Sequence, residues 1–398
     1  MKDSRRHAVR WSRWWKGALL VGAGLSVLMA IATSVLTVVV ARMVVTPPRR
    51  RAEDVRVLAV DLPRRRIVLS VTADSVVPGQ YSFWFADGLG HARLGDVLEL
   101  TTDSVTREIL TVDFGNLGRA RHGRFSGWFY LTPSDLEYPF ENVQITTTLG
   151  PAPAWLIPAE QETTRWVIQV HGRAVNRSET LRAVPVFRAA GYTSLLVSYR
   201  NDEDAPSSVD GRYGLGDTEW FDVDAALHFA VEHGATEVVL MGWSMGGATV
   251  LQTATRSSLS DVVVAVVLES PVVDWVTALE FQAKILHLPR PIGSGVLAII
   301  GRSWGRRLTG QAESIDLRRL DFVRRAAELH LPILILHSDD DGYVPSTASH
   351  ALAKARPDIV TLEAFTVARH TKLWNYDPDR WNRAIDGWLD DHGLRPRG

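Results

Sequence analysis

A serine between glycines carries the clearest chemical signal in this chain of 398 residues. The segment GWSMG at positions 242–246 follows the apolar run Glu237–Met241 and precedes a helical pattern. A tight turn from strand to helix holds such a serine in a strained conformation with its hydroxyl lifted clear, and the glycines remove Cβ atoms that would collide with the backbone. This context predicts that Ser244 is a nucleophile. An ordinary glycine turn is the alternative.

With this motif, residues from about 145 to 398 resemble the α/β-hydrolase family, whose members order their triad as nucleophile, acid and histidine. The segment HSDDDGYVP, which ends at Pro345, is similar to the acid loop of that family. The resemblance implies Asp341 as the acid, with Asp339 and Asp340 as residues of the turn. His370 takes the position of the family's histidine, between the last predicted strand and the last predicted helix.

The resemblance also implies an oxyanion hole made of two backbone N–H groups. One belongs to Met245, directly after the nucleophile, and the other to Arg173, which follows a His-Gly pair typical of the family. Removing one such donor costs about 2.7–4 kcal/mol of transition-state stabilisation. The Arg173 side chain could instead bind a carboxylate or phosphate of the substrate, or simply be solvated.

Alternating strand and helix patterns supply the elements that must position these residues. From about residue 142 onward, they predict an α/β fold with a mostly parallel sheet and helices on both faces. The predicted strands are Trp166–Val170, Thr193–Tyr199, Glu237–Met241, Val263–Glu269, Ile333–His337 and Val360–Phe365. The predicted helices are Glu179–Ala190, Glu219–His233, Gly246–Arg256, Arg318–Leu329 and Asp379–Asp391.

Residues 53–141 show a different pattern, in which short apolar runs are separated by Pro-Gly, Asp-Gly and Gly-Asn turns. This pattern predicts a small β-rich domain with no evident ligand site, and His91 and His122 are interpreted as surface histidines. The predicted strands are Val55–Val60, Arg66–Val71, Tyr81–Phe85, Val97–Leu100, Glu108–Val112 and Phe125–Leu131.

The uncharged run from Gly17 to Ala41 predicts a membrane helix. As a helix it would extend about 37 Å, against a hydrocarbon core of about 30 Å. The run is longer than the apolar part of a signal peptide and no small-residue cleavage pattern follows it, so we favour an uncleaved, single-pass anchor over residues 17–43. The basic segment 1–16 favours a cytoplasmic N-terminus, with a linker at 44–52 and the bulk of the chain on the extracytoplasmic side.

Composition excludes several classes of function. The chain has 44 Lys and Arg against 45 Asp and Glu, a formal net charge of -1, so no nucleic-acid partner is expected. With no cysteine, disulfides, thiolate metal sites and a cysteine nucleophile are excluded. The acidic run within Arg200–Asp204 lacks chelating spacing and is interpreted as a solvated loop rather than a metal site. We expect neither cofactor nor metal, and the oligomeric state stays open.

Together these features predict a membrane-anchored serine hydrolase that cleaves a carboxylic ester or related acyl substrate, small molecule or lipid, through an acyl-enzyme. A serine peptidase of the prolyl-oligopeptidase or aminopeptidase type is an alternative, because the same residues serve several reactions. A non-catalytic, membrane-tethered binding protein on a hydrolase scaffold is another. An insertion at about 275–318 is interpreted as a cap whose apolar residues line an acyl pocket, or as a helix packed on the sheet edge.

Overall fold

The protein divides into two compact units. The structure, a computed structural model, describes the backbone of residues 3–48 and 51–395 and the side chains of the same ranges from residue 23 onward. The larger unit comprises Thr46–Gln282 and Ile315–Gly398, and the smaller one Met1–Val45 and Ala283–Ser314. The side chains of the basic segment 1–16 lie outside the described residues.

The β-rich region of the larger unit is a closed antiparallel barrel in the order β1-β2-β5-β4-β3-β6. Closure removes the exposed edges that a small sheet would otherwise present. Apolar side chains of every strand fill the interior, with Ile67 and Phe83 fully buried. The strands are β1 (Val55–Asp61), β2 (Arg66–Ser70), β3 (Tyr81–Phe85), β4 (Gly90–Leu100), β5 (Ser104–Phe114) and β6 (His122–Ser126).

One histidine of the barrel differs from its sequence-based interpretation. His91 is not at the surface but fully buried. Its Nε2 lies 2.8 Å from Ser82 Oγ and its Nδ1 lies 2.7 Å from Asp113 Oδ2. These two partners satisfy both ring nitrogens, which removes the cost of burying them. His122 is exposed, as predicted.

The second sheet has eight strands in the order β14-β13-β12-β11-β9-β10-β8-β7. Its strands from β14 to β10 run parallel, and β8 and β7 are antiparallel additions at one edge. The predicted α/β fold with a mostly parallel sheet is therefore confirmed. The strands are β7 (Glu141–Thr147), β8 (Gly150–Ile157), β9 (Arg165–Val170), β10 (Thr193–Val197), β11 (Glu237–Trp243), β12 (Val263–Glu269), β13 (Ile333–Ser338) and β14 (Val360–Phe365).

Helices cover the sheet, and Trp381, Ile385 and Trp388 of the last helix pack in the same core cluster as Met241 and Trp243 of β11. The α-helices are α1 (Asp3–Val45), α2 (Val184–Ala189), α3 (Trp220–Glu232), α4 (Met245–Arg256), α5 (Trp275–Ile285), α6 (Arg290–Gly301), α7 (Arg306–Thr309), α8 (Thr347–Ala355), α9 (Leu373–Tyr376) and α10 (Pro378–Asp391).

The predicted helix Arg318–Leu329 is wrong, since this segment forms turns and only a short 3₁₀ helix, Ala326–Glu328. Asp316 Oδ1 accepts the N–H groups of Arg318 and Arg319. The N–H of Phe322 donates to Val273 O at 2.8 Å. Because these acceptors take the backbone donors, an intrahelical hydrogen-bond ladder does not form.

In the smaller unit, α1 packs against α6 and α7. The Cγ2 of Thr37 in α1 lies so close to Gly295 that a Cβ there would be 2.7 Å away, and Arg42 Nε donates to Leu308 O at 2.6 Å. The segment Ala23–Val45 is long and apolar enough to cross a membrane, although a signal sequence meets the same criteria. Much of the insertion predicted as a cap thus belongs to the unit that contains α1.

Candidate active site

Ser244 sits at a sharp turn between β11 and α4 and is 5% exposed. Its backbone is strained, with φ 50° and ψ −115°. A Cβ on Gly242 would lie 2.4 Å from Gly246 O, and one on Gly246 would lie 2.2 Å from Val170 O. Both glycines are therefore required for the close approach of three backbone segments, and this geometry holds the Ser244 side chain at the C-terminal end of the sheet.

The structure brings the predicted serine, histidine and acid together. His370 Nε2 lies 3.0 Å from Ser244 Oγ, and His370 Nδ1 lies 2.7 Å from Asp341 Oδ2. Asp341 lies in the loop after β13, and His370 lies between β14 and α9. A chain of hydrogen bonds of this kind lets the imidazole accept the serine proton, while the carboxylate fixes the tautomer of the imidazole.

Asp341 is buried and held by several donors. Its Oδ1 accepts the N–H groups of Tyr343 and Val344 at 2.8 and 2.9 Å. A second imidazole, that of His337, places Nε2 3.3 Å from Oδ2. Burial alone would raise the pKa of Asp341, but the charge of His370 and the hydrogen bonds from His337 and His370 hold it far below its ordinary value. The carboxylate is thus fixed in its ionised form.

The two neighbouring aspartates have other partners. Asp339 Oδ1 lies 2.7 Å from Ser346 Oγ and 2.9 Å from His350 Nε2. Asp340 contacts the guanidinium of Arg369 through its backbone oxygen at 2.8 Å and its carboxylate at 3.1 Å. Neither aspartate is hydrogen-bonded to the imidazole of His370, in keeping with the interpretation of both as turn residues.

The loop after β9 is fixed beside the serine. The N–H of Gly172 donates to Glu179 Oε2 at 2.8 Å, and its carbonyl accepts the hydroxyl of Tyr199 at 2.7 Å. The next residue, Arg173, lines the same cavity as Ser244. Met245 directly follows Ser244 as the first residue of α4, where backbone N–H groups have no acceptor within the helix. Both predicted oxyanion donors are therefore near the serine.

A buried glutamate, Glu269, stabilises the turn at Ser244, and no sequence motif points to it. The N–H of Ser244 donates to Glu269 O at 3.0 Å. The Glu269 carboxylate accepts the indole N–H groups of Trp243 and Trp381 at 2.8 and 2.9 Å, and the N–H of Leu373 at 3.2 Å. Burial raises the pKa of Glu269. These bonds connect the turn at Ser244 to α9 and α10.

The barrel anchors the loop that carries His370. Asn375 and Gln80 exchange two hydrogen bonds, from the Gln80 N–H to Asn375 O and from Asn375 Nδ2 to Gln80 O, each 2.9 Å. Lys372 Nζ lies 3.0 Å from Asp74 Oδ2. The barrel is therefore part of the scaffold that positions the imidazole.

Ser244 and His370 open into a cavity of about 430 Å³. One wall comes from the barrel residues Arg124–Gly127 and the other from the loops of the sheet. The Arg173 side chain lies over the ring of Tyr213 and donates to Thr46 O at 3.0 Å. Within the described residues, no cluster of three or more His, Asp or Glu could hold a metal ion.

Comparison with known proteins agrees with this geometry. The model of the "Alpha/beta hydrolase family" matches residues 167–384, more than half of the chain. The chain belongs to the α/β-hydrolase family. Residues 56–126, within the barrel, match a domain of unknown function, DUF8805. No curated protein sequence matches this hydrolase at a significant level.

Solved structures of other hydrolases resemble this one. The esterase Pf2001 of Pyrococcus furiosus is 18% identical, with a TM-score of 0.51 over 66% of this chain and 94% of the esterase. Est1E of Butyrivibrio proteoclasticus, solved with ferulic acid bound, is 15% identical, with a TM-score of 0.48 over 64% of this chain and 100% of Est1E. At such identities the first likeness supports the fold, and activity must be argued from the site.

Proposed function

We propose that this hydrolase is a membrane-anchored serine esterase that cleaves carboxylic esters through an acyl-enzyme. The observation that carries the proposal is the hydrogen-bond chain from Ser244 through His370 to Asp341, with both links at 3.0 Å or less. The buried, ionised Asp341 and the strained turn at Ser244 are features that acyl transfer by a serine requires.

In this mechanism Ser244 Oγ attacks the ester carbonyl carbon while His370 Nε2 takes its proton. The carbonyl oxygen becomes an oxyanion, stabilised by the N–H groups of Met245 and Arg173. The ester C–O bond then breaks, and His370 returns the proton to the departing alcohol. Water, deprotonated by His370, attacks the acyl carbon next. The bond from that carbon to Ser244 Oγ then breaks, His370 returns the proton to Oγ, and the acid product leaves.

The apolar helix α1 supplies the proposed anchor, with the barrel and hydrolase regions on the extracytoplasmic side. The uncharged run exceeds a hydrocarbon core of about 30 Å, and the basic residues before it favour a cytoplasmic N-terminus. Substrates would then be small-molecule or lipid esters that reach the extracytoplasmic surface of the membrane.

The test uses the full-length protein in detergent with a fluorophosphonate probe, whose phosphorus is attacked by an activated serine. We expect labelling of the wild type and none of Ser244→Ala. Hydrolysis of 4-nitrophenyl butyrate should fall at least about 10⁴-fold in Ser244→Ala and in His370→Ala. Ser258→Ala, at an exposed position after α4, is the matched control and should keep full activity.

Two outcomes would separate the alternatives. Faster cleavage of aminoacyl 4-nitroanilides than of any 4-nitrophenyl ester would favour the peptidase. No labelling and no hydrolysis by a folded wild type would favour the non-catalytic binding protein.

A further inference from the structure

The cavity at Ser244 carries an excess of cationic side chains. Of the described residues that line it, five are basic and two, Asp74 and Glu179, carry a carboxylate. The basic residues are Arg51, Arg124, Arg173, Arg369 and Lys372.

Three of these cations have partners within the protein. Arg369 is held by Asp340, and Lys372 by Asp74 at 3.0 Å. Arg173 donates to Thr46 O and lies over the ring of Tyr213. These contacts are sufficient to explain their presence in the cavity wall.

Arg51 and Arg124 are different. Among the described residues, neither guanidinium forms a hydrogen bond or an ion pair with a carboxylate. Each lies over an indole ring instead, Arg51 at 5.7 Å from the centroid of Trp128 and Arg124 at 5.4 Å from that of Trp84. Stacking on a ring face leaves the N–H edges of a guanidinium available to a ligand.

Both guanidinium groups are partly desolvated, which makes this arrangement costly without a counter-charge. Burial lowers the pKa of Arg51, and burial together with the nearby charge of Arg51 lowers the pKa of Arg124 to about 10. Glu179 and Glu203 attract Arg51 through space, and Glu53 and Asp54 attract Arg124, but among the described residues none of these carboxylates bonds either guanidinium. A bound anion would give the two guanidinium groups the direct partner that these more distant charges do not supply.

The position of the two arginines relates them to the substrate. They line the cavity of Ser244 and also a second cavity of about 780 Å³, which shares Arg51, Arg124, Ala174 and Val175 with the first. The side toward Ser244 suits an anion better, because the second cavity is also lined by the carboxylates of Glu53, Asp87, Asp202, Glu203 and Asp210. An anionic group bound by the pair on the side of Ser244 would belong to the same substrate molecule as the reacting carbonyl. Trp84 and Trp128 line the second cavity and hold the pair.

We propose that Arg51 and Arg124 form an oxyanion-binding subsite, so that the preferred substrates are esters carrying a carboxylate or phosphate group. The inference rests on the proposed esterase function and gives the barrel a role in substrate choice, since Arg124 is a residue of β6. Two guanidinium forks suit the planar or tetrahedral oxygens of such groups through charge-assisted hydrogen bonds.

The test compares matched pairs of esters. Mono-4-nitrophenyl glutarate is set against its methyl ester, and 1-butyrylglycerol 3-phosphate against 1-butyrylglycerol. A lipid arm sets 1-oleoylglycerol 3-phosphate against 1-oleoylglycerol in mixed micelles, to tell a headgroup from a soluble anion. We expect kcat/KM of the wild type to favour the anionic member of at least one pair.

Arg51→Gln and Arg124→Gln should each lower kcat/KM for the preferred anionic ester about 10- to 100-fold, as expected for the loss of charge-assisted hydrogen bonds. The neutral ester should change by less than about threefold, which also shows that the variants fold. Arg124→Lys should restore part of the preference. Arg66→Gln, at an exposed position of β2, is the matched control and should change neither rate.

Binding provides a readout that does not depend on turnover. Titration calorimetry of Ser244→Ala with mono-4-nitrophenyl glutarate should give a Kd at least about tenfold lower than with the methyl ester. Adding Arg124→Gln to this variant should abolish the difference between the two Kd values. A Ser244-dependent esterase with no anionic preference in rate or binding would overturn this inference and leave the proposed function intact. Arginine-dependent anion binding by a protein that hydrolyses no ester would overturn the proposed function and leave the anion site intact.

Discussion

The imidazole of His370 faces the carboxylate of Asp341 at 2.7 Å from Nδ1 to Oδ2. The opposite nitrogen is thereby turned toward Ser244 at 3.0 Å. The pKa of Asp341 lies far below its ordinary value because the charge and hydrogen bonds of two imidazoles outweigh its burial. Across the pH range in which a neutral imidazole can act as base, this acid is therefore ionised.

Asp341→Asn should lower kcat for an activated ester by on the order of 10⁴, since an amide in place of the carboxylate favours the wrong tautomer of His370. Asp339→Asn and Asp340→Asn are matched controls within the same loop, with partners on His350 and Arg369. They should change kcat by less than about fivefold, because each loses a partly exposed contact of about 1 kcal/mol or less. Steady-state rates with folding checked by circular dichroism measure this. Inactivation by Asp340→Asn alone would place the acid one residue earlier.

Gly246→Ala should disrupt the nucleophile turn. The added methyl group would lie 2.2 Å from Val170 O and 2.5 Å from His171 O, both backbone atoms that cannot move independently. We expect a destabilisation of about 1–3 kcal/mol together with loss of fluorophosphonate labelling. Gly387→Ala is the control, at an exposed position of α10 where nothing lies within 4 Å, and should stabilise the protein by about 0.5–1 kcal/mol. Thermal melting that ranks the two variants in the opposite order would contradict the steric argument.

The turn that carries Ser244 could be predicted from sequence because all its determinants are contiguous. The strand before Ser244, the flanking glycines and the helix after it lie within twenty residues or so of chain, and the structure has β11 and α4 there. Asp341 and His370 followed from the order of the family's triad, and the structure brings them to the serine. Local patterns and chain order thus carry much of this site.

Contacts between distant segments left no such signal. Arg51 comes from the linker and Arg124 from β6, and both line the cavity only in the folded protein. His337 was visible in the acid loop, but its approach to Asp341 depends on how the turn folds back. The strand β8 begins Gly-Pro-Ala-Pro, and prolines argue against a strand that is paired on both sides. Pro151 and Pro153 pair with β7 but lie before the residues of β8 that pair with β10.

Glu269→Gln should destabilise the protein although the shape is kept. Both indole N–H groups donate to Oε2, and the N–H of Leu373 donates to Oε1. An amide can accept with only one of its two terminal atoms, so at least one buried N–H must face another donor, at a cost of about 1–3 kcal/mol. Thermal melting would show a lower midpoint. Glu99→Gln, at an exposed position of β4, is the control and should stay within about 0.5 kcal/mol.

The proposed topology is tested by single cysteines, because the chain has none of its own. Thr102 is exposed in the turn between β4 and β5, so Thr102→Cys should react with an impermeant maleimide on intact cells. Ser4→Cys, before the predicted anchor, should react only after lysis. The reverse pattern would place the hydrolase region in the cytoplasm.

Packing of α1 against α6 can be tested by a disulfide. A Cβ at Gly295 would lie 3.8 Å from Thr37 Cβ, which is the usual separation across a disulfide bond. Thr37→Cys with Gly295→Cys should therefore cross-link on mild oxidation, and maleimide labelling of the denatured protein should be lost until a reductant is added.

Leu36→Cys with Gly295→Cys is the matched control. Leu36 is 41% exposed, and adjacent residues of a helix face different directions, so the two thiols of this pair should stay reactive. Equal protection in both pairs, or in neither, would mean that α6 does not pack on this face of α1. Protection of the first pair alone would tie the insertion to the apolar helix, because Thr37 lies within the uncharged run that is predicted to enter the membrane.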